Sequence, residues 1–255
     1  MNQDVETTDS PTFVNVTIGG YILGGENIYS TATQPLNSKG NSFATIQGAI
    51  DDLGGDGWVY VPEGTWNEDI VLLDDSVSIV GAGWGTIING TTTDHTINVS
   101  ASYCLLRDFQ VKNKAGTGTA FVPILGDTAA KFLQIDHVWI SESDEQGLRV
   151  DGFQTYAKTM FINNTDSHGV RGKDPIRLMD STITYCGGDG ISLGNGSPSS
   201  QINACYIAYN TGYGIEIQGG SLNTVVVGNR VTGNGDGQIN DLTGGSATVV
   251  GNDTD

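Results

Sequence analysis

A short element recurs through the second half of the chain, and its spacing constrains the fold more than any other feature. Each copy starts with glycine and continues with alternating apolar side chains, and successive copies begin 22, 21, 24 and 23 residues apart. The copies occupy residues 147–150, 169–172, 190–193, 214–217 and 237–240. A period of about 20 to 25 residues is typical of a solenoid, in which one turn buries its apolar face only against its neighbours.

A second element runs in phase with the first, starting at residues 106, 135, 161, 178, 202, 227 and 250. Runs of valine, isoleucine and threonine alternate with glycine, asparagine and aspartate, which turn a chain between strands. A leucine-rich repeat has a similar period, but it needs recurrent leucine and helical outer segments. The sequence therefore predicts an all-β fold, a right-handed parallel β-helix (solenoid) of about 22 residues per rung and eight or nine rungs.

An amphipathic segment precedes the repeats. Ser42 is a helix-capping residue type, and apolar residues follow at positions 43, 46, 50 and 53, which is helical spacing. This pattern predicts an N-terminal capping helix over residues 43–53 that covers the open end of the first rung. The polar, glycine-rich residues 1–41 are predicted to form an arm or attachment segment, and residues 42–255 a capped parallel β-helix domain.

Residues 43–53 (FATIQGAIDDL) and 57–66 (GWVYVPEGTW) together resemble the entry region of the pectate-lyase-like β-helix superfamily. In that superfamily a capping helix leads into a strand that ends in a proline–glycine turn. The resemblance implies the fold but no single activity, because the superfamily includes lyases, hydrolases, epimerases and phage tailspikes. The glycine-rich N-terminal segment makes the chain resemble viral tailspikes, fibres and capsid decorations more than secreted enzymes.

The charge is strongly one-sided, with 29 acidic and 11 basic side chains and a net charge of −18. A field of this sign repels nucleic acid and anionic membrane surfaces, so neither is an expected partner. Two interpretations of the surplus stay open: solubility through mutual repulsion, and adaptation to high salt. The second, taken with the viral resemblance, predicts a halophilic host, that is, a haloarchaeal virus.

Three cysteines, at positions 104, 186 and 205, are an odd number without metal-ligand spacing. They predict small buried side chains, and neither a disulfide framework nor a zinc site. The first eleven residues are acidic and polar, so they predict no signal peptide. No run approaches the length of about 18 apolar residues that a transmembrane helix needs.

Weak candidates for catalysis come from a resemblance to polygalacturonases. Asp166, in an Asn-Thr-Asp motif, and Asp189 are carboxylates of the kind that glycoside hydrolysis requires, and His168 lies between them. The order departs from that family's, because the second aspartate pair is reduced to one residue and the histidine precedes it. Asp166 lies three residues before its repeat glycine and Asp189 one, so the two need not stack as neighbours.

A lyase of the superfamily would use an arginine or lysine base and a calcium site. Arg171 is the candidate base, and Arg149 occupies the equivalent position one rung earlier, with Ser192 and Glu216 continuing the column. Stacked like charges are unfavourable unless paired, so acidic partners are expected. The alternative is a solvated outer face with salt bridges. The three histidines share no metal-ligand spacing, and the sequence supports no cofactor, calcium included.

Tyr206, Tyr209 and Tyr213 cluster within one rung and its corner, and they are the weak candidates for glycan binding. Aromatic rings stack on sugars, but such rings are also often half-buried against a neighbouring rung or subunit. The leading hypothesis is a non-enzymatic spike, fibre or capsid decoration on the virion surface. The expected partners are sister subunits in a homo-oligomer (a trimer), other virion proteins through the arm, and host surface glycans. The alternatives are a polysaccharide lyase or hydrolase and a carbohydrate-binding module.

Overall fold

The computed structural model describes residues 33–91, 94–113, 121–195 and 197–255. Residues 1–32 lie outside this range, so the arm predicted for that part of the chain stays a prediction. The described residues contain one short helix and 24 strands. The strands wind into a parallel β-helix of about eight turns, as the repeat spacing predicts.

The elements follow the chain in the order β1 (Leu36–Asn37), α1 (Ile46–Asp51), β2 (Gly57–Val61), β3 (Gly64–Asn67), β4 (Ile70–Leu72), β5 (Val77–Gly81), β6 (Thr86–Asn89), β7 (Ile97–Val99), β8 (Leu105–Asn113), β9 (Ile124–Gly126), β10 (Gln134–Ser143), β11 (Leu148–Val150), β12 (Thr155–Lys158), β13 (Phe161–Thr165), β14 (Val170–Gly172), β15 (Ile176–Met179), β16 (Thr182–Thr184), β17 (Ile191–Leu193), β18 (Gln201–Asn203), β19 (Tyr206–Ala208), β20 (Tyr213–Ile217), β21 (Val225–Val227), β22 (Arg230–Thr232), β23 (Gly237–Asp241) and β24 (Thr248–Val250).

Each turn contributes to three faces. Face 1 comprises the edge strand β1, the strands β2, β5, β12, β15, β18, β21 and β24, and the first halves of β8 and β10. Face 2 comprises β3, β6, β13, β16, β19, β22 and the second halves of β8 and β10, so faces 1 and 2 form one bent 16-stranded sheet. Face 3 is a separate eight-stranded sheet of β4, β7, β9, β11, β14, β17, β20 and β23.

The core is built from columns of inward side chains that repeat on every turn. On face 3 one such column is fully buried, and its members pair in register across the parallel strands. They are Ile97, Ile124, Leu148, Val170, Ile191 and Ile215. Burying a side chain of this size stabilises the fold by about 1.5–3 kcal/mol. Alternating apolar residues therefore specify which side of each strand faces inward.

The turns are less uniform than a 22-residue rung. Trp58 pairs with Ser78, 20 positions later, whereas Leu105 pairs with Gln134, 29 positions later. Between Tyr156 and its partner Arg177 the step is 21. The strands keep their register except for one shift, between Ile140 and Ser143 of β10, and the connections between strands absorb most of the differences in length.

The N-terminal cap differs from the sequence prediction in its bounds. Helix α1 covers residues 46–51, and its N-cap is Thr45, whose hydroxyl oxygen accepts a hydrogen bond from the Gly48 N–H. Ser42 instead forms a bridge with Leu36, so it does not cap the helix. The Glu68 carboxylate from the first turn accepts bonds from the N–H groups of residues 46 and 47, which replaces the cap predicted for Ser42.

The cap also covers strand edges. The Gln47 side-chain amide donates to the Val71 carbonyl and accepts from the Val71 N–H, which satisfies the edge of β4. Strand β1, inside the segment predicted to be the arm, pairs antiparallel with the edge of β2. Ile46, Ala49, Ile50 and Leu53 are buried and join the core.

Polar columns complete the core at two corners. The Asn210 amide oxygen accepts from the Cys186 N–H, and its amide nitrogen donates to Asn234 one turn further on. Asn229 makes the same contacts with Cys205 and Asn252. The three cysteines are buried and free, as predicted, and burial raises the pKa of the Cys186 and Cys205 thiols to about 11.

Candidate functional site

Four side chains stack where the chain enters face 3. Gln146, His168, Asp189 and Tyr213 occupy the same position on successive turns, each just before a repeat glycine. The glycine N–H groups mark the register, because Gly169 donates to the Asp189 carbonyl and Gly190 to the Tyr213 carbonyl. Two of the predicted catalytic residues, His168 and Asp189, are therefore neighbours on adjacent turns.

The contact between them is close and tied to the backbone. His168 Nδ1 lies 3.2 Å from Asp189 Oδ2 and accepts a hydrogen bond of 3.0 Å from the Asp189 N–H. The other carboxylate oxygen, Asp189 Oδ1, accepts from the Tyr213 N–H at 2.8 Å. A neutral His168 uses Nδ1 as the backbone acceptor, whereas a protonated ring would donate to the carboxylate. Asp189 is only 7% exposed, and its backbone N–H and its carboxylate together bond it to the turn before and the turn after.

Asp166 occupies a different position. It is exposed, and its turn-neighbour is Gly187, where an added Cβ would lie 2.4 Å from the Asp166 carbonyl oxygen. Asp166 and Asp189 therefore do not stack at equivalent positions of successive turns. The structure brings His168 to Asp189 and leaves Asp166 on the preceding part of the corner.

The outer surface of face 3 carries the predicted arginine column. Arg149 pairs in register with Arg171, Arg171 with Ser192, and Ser192 with Glu216. Arg149 binds the Asp151 carboxylate through Nε at 2.9 Å and through a terminal nitrogen at 2.6 Å. Lys173 reaches the same carboxylate oxygen at 3.2 Å. Arg171, the candidate base, forms no ion pair with any residue that the structure describes.

Asp151 is the electrostatic centre of this face. Burial by itself raises the pKa of the Asp151 carboxyl, but the hydrogen bonds and charges of Arg149 and Lys173 outweigh it, so the pKa lies below its usual value. Its second oxygen, Oδ1, is buried without a hydrogen-bond partner among the described residues. Burial, with the Asp151 charge as a smaller cause, raises the pKa of nearby Asp174.

Within the described ranges, no group of three or more histidine, cysteine, aspartate or glutamate side chains is placed to hold a metal ion. His95 instead accepts a hydrogen bond from the Val122 N–H, and burial lowers its pKa. In the same part of the chain, no helix is long and apolar enough to cross a membrane.

The predicted tyrosine cluster divides between two corners. Tyr206 and Tyr209 lie together on face 2 and its corner, where a hydrogen bond with Tyr209 is the main cause that raises the Tyr206 pKa. Arg230 lies over the Tyr206 ring, with its Cζ 5.7 Å from the ring centroid. Tyr213 belongs to the next corner, in the column of His168 and Asp189.

A third tyrosine that the sequence interpretation missed completes the surface. Tyr185 stacks on Tyr209 with ring centroids 5.4 Å apart and an interplanar angle of 18°. The two are 61% and 51% exposed, so most of each ring faces solvent. We name Tyr185, Tyr206 and Tyr209 the tyrosine ladder. The signal that could have found Tyr185 is its position: like Tyr209, it directly precedes a buried residue of the column Cys186–Asn210–Asn234.

Two tryptophans, Trp84 and Trp139, pack against aromatic rings of neighbouring rungs, which is the alternative to glycan stacking that the sequence left open. Trp84 lies against His137, Trp139 and Phe161, with centroid distances of 4.9, 5.7 and 5.5 Å. The Trp139 indole N–H donates to Asn163 Oδ1 at 2.8 Å. Several aromatic rings thus pack across turns on face 2.

Comparison with known proteins supports the fold. A family model described as "Right handed beta helix region" matches residues 140–254, which agrees with the predicted handedness. A search of curated proteins finds no match.

Solved structures of phage tailspikes have a similar fold. Full-length tailspike protein 2 from a bacteriophage of Escherichia coli O157:H7 matches with a TM-score of 0.66 and 19% identity, covering 83% of this chain and 33% of its own. The enzymatically active domain of bacteriophage CBA120 tailspike protein 2 matches with a TM-score of 0.66 and 20% identity, covering 88% and 40%. This chain thus spans about a third to two-fifths of the length of those tailspike chains.

Proposed function

We propose that this protein is a virion-surface component of the tailspike type that contacts host surface glycans. The observation that carries the proposal is the β-helix shared with tailspike protein 2 over 83–88% of this chain. A fold alone does not define a function, so the proposal also needs a surface suited to the task. The tyrosine ladder supplies one.

The ladder has the chemistry of a sugar-binding surface. Tyr185 and Tyr209 present stacked, solvent-exposed rings, and Arg230 and the tyrosine hydroxyls lie beside them. Aromatic rings offer a large apolar face with a polar edge, which suits the alternating apolar and polar faces of a sugar. Tyr185 and Tyr209 also have φ angles of 56° and 59°, a conformation unfavourable for bulky residues.

The proposal includes partners and an environment. Sister subunits would associate as a homotrimer, with residues 1–41 attaching to other virion proteins, as a spike, fibre or capsid decoration. The surplus of 29 acidic over 11 basic side chains fits a haloarchaeal virus. Sedimentation of the purified chain in molar salt would measure the oligomeric state, and a monomer at all concentrations would contradict the trimer.

The decisive experiment locates the chain. Antibodies against the purified protein, used to label virions for electron microscopy, are expected to decorate projections on the particle surface. Pre-incubation of host cells with the purified protein is expected to reduce virus adsorption. Absence of the chain from purified virions would overturn the virion assignment, whatever its glycan binding.

Cleavage of acidic polysaccharide is a second candidate function. The observation that favours it is the His168–Asp189 contact, beside the Arg171, Ser192 and Glu216 column of face 3. Reducing ends from a hydrolase, or unsaturated products absorbing in the ultraviolet from a lyase, would be assayed on polygalacturonate and alginate. Arg171 and Glu216 are partly exposed, so loss of activity in Arg171→Gln or Glu216→Gln, with the free energy of unfolding unchanged, would separate catalysis from folding. If the wild-type chain releases neither product, the non-enzymatic interpretation is retained.

A further inference from the structure

A groove lies where the chain passes from face 3 to face 1, away from the tyrosine ladder and from the His168–Asp189 contact. Its volume is about 590 Å³, within the usual range for small-molecule sites of about 300–1,000 Å³. Three aromatic rings, two prolines and one arginine line it together with four polar side chains. Neither the catalytic candidates nor Tyr206, Tyr209 and Tyr213 line this groove.

The aromatic wall is exposed and ordered by stacking. Phe132 and Phe153 meet edge to face with centroids 6.1 Å apart, and they are 36% and 45% exposed. Tyr103 stacks on the far side of Phe132 at 5.0 Å and an angle of 10°. Phe132 and Tyr103 have φ angles of 57° and 59°, whereas the equivalent corner residue two turns after Phe132 is proline and the one after that is Ser199. Phenylalanine is therefore not a requirement of the corner.

The floor of the groove is formed by a column of side chains that crosses the strands of face 1. Gln134 pairs in register with Tyr156, and Tyr156 with Arg177. Parallel strands are about 4.8 Å apart, so an amide, a phenol ring and a guanidinium follow one another along the groove. Arg177 is exposed and forms no ion pair with any described residue. Its donors are therefore available to a ligand.

The charge of the groove is opposite to that of the chain. The protein has a net charge of −18, yet none of the described residues that line the groove carries a carboxylate, and Arg177 is positive. Guanidinium groups bind carboxylates through two parallel hydrogen bonds. Aromatic faces and uncharged amides complement the apolar and hydroxyl surfaces of sugars.

We infer that this groove binds a carboxylate-bearing glycan, with sugar rings against Phe153 and Tyr156 and a sugar carboxylate on Arg177. The inference rests on the proposed contact with host glycans, and it adds a specific site and the charge of the ligand. The polar lining favours a saccharide over a second copy of this chain, because a carboxylate-rich subunit surface would meet only one cation here.

The test uses the full chain and isothermal titration calorimetry with tetragalacturonate, tetramannuronate, 3′-sialyllactose and neutral maltotetraose. At least one acidic probe is expected to bind more tightly than maltotetraose. Arg177→Gln is expected to weaken the acidic probe about tenfold or more and to leave the neutral one within about twofold, because a hydrogen bond to a charged group is lost. Phe153→Ala is expected to weaken both probes.

Arg107→Gln is the matched control, since it removes the same charge from an exposed arginine outside both the groove and the tyrosine ladder, and it should change acidic-probe binding less than about twofold. Equal affinity of Arg177→Gln and wild type, or no binding of any acidic probe, would overturn the inference. If Tyr209→Ala abolishes binding while Arg177→Gln does not, glycan contact stands and the groove assignment falls. If Phe153→Ala dissociates an oligomer in sedimentation, the groove is a subunit interface and the inference is wrong.

Discussion

Two columns of side chains run side by side along one corner of the β-helix, and their members are adjacent in sequence. Cys186, Asn210 and Asn234 form the inner column, and each is buried. Tyr185 and Tyr209 form the outer column, each one residue earlier and mostly exposed. The left-handed φ angles of the two tyrosines turn the chain between these environments.

The difference between the columns lies in their hydrogen bonds. The Asn210 amide accepts from the Cys186 N–H and donates to Asn234, so the inner column satisfies backbone groups that the corner leaves without strand partners. The tyrosine rings touch one another but leave most of their surface in solvent. Stacking at one residue per turn is therefore not a sign of function by itself. Backbone hydrogen bonds identify the structural column, and exposure identifies the candidate binding surface.

The largest effect is expected from breaking the inner column. Asn210→Ala leaves the Cys186 N–H buried without its acceptor and removes the bond to Asn234. We expect the free energy of unfolding to fall by about 3 kcal/mol, since a buried donor loses its partner and a cavity forms. Urea unfolding would measure it. The control is Asn203→Ala on exposed face 1, with an expected change under about 0.5 kcal/mol; similar losses in both variants would show that the inner column contributes nothing special.

Substitution of Asp189, a predicted catalytic residue, tests whether it stabilises the fold as the inner column does. Asp189→Ala removes the acceptor of the Tyr213 N–H and the contact with His168. We expect a loss of about 2 kcal/mol in the free energy of unfolding, because hydrogen bonds to charged groups contribute about 1.5–3 kcal/mol. The exposed Asp166→Ala should change it by less than about 0.5 kcal/mol. A stable Asp189→Ala protein would return this carboxylate to the list of functional candidates.

The side-chain amides of the inner column do not titrate, whereas the Asp151 carboxylate, bound by Arg149 and Lys173 on face 3, does. The folded-state pKa of Asp151 is lowered relative to the unfolded chain. Asp151 therefore stabilises the fold above its unfolded pKa of about 3.9, and this stabilisation is lost as the pH falls through the lower folded value. Urea unfolding of wild type and Asp151→Asn from pH 7 to pH 2.5 should show a smaller acid-dependent loss in the variant. Parallel curves would remove Asp151 as a source of the pH dependence.

The smallest effect on stability is expected in the outer column. Tyr209→Gly removes a stacked ring, worth about 0.5–1.5 kcal/mol, and relieves an unfavourable φ angle of similar cost. We expect the free energy of unfolding to stay within about 1 kcal/mol of wild type while retention on immobilised host glycan is lost. Asn223→Gly changes another exposed corner residue with a φ of 58° and should retain glycan binding. A Tyr209→Gly protein that unfolds like Asn210→Ala would make the outer column structural as well.

The repeat spacing anticipated most of the scaffold. The repeat glycines at 169 and 190 precede equivalent strands on successive turns, as predicted. The Arg149–Arg171–Ser192–Glu216 column pairs in the expected register. The helix bounds were wrong, because apolar spacing cannot show that Thr45 is the N-cap, or that Glu68, 22 residues beyond Ile46, accepts from the first helical N–H groups. Tyr185 was missed because the predicted cluster comprised tyrosines of a single rung, while Tyr185 lies a full turn before its partner Tyr209.

The sequence by itself determined the β-helix, its number of turns and the inward side of each strand, because every turn must bury its own apolar residues in the same way. Only the tertiary structure decided which exposed side chains meet. Turns of 20 to 30 residues place lateral neighbours at irregular distances along the chain. Phe132 therefore meets Phe153, and Arg177 has no carboxylate among the residues that line its groove. The repeat period determines which side chains form the core, whereas the register between turns of unequal length determines which side chains meet on the surface.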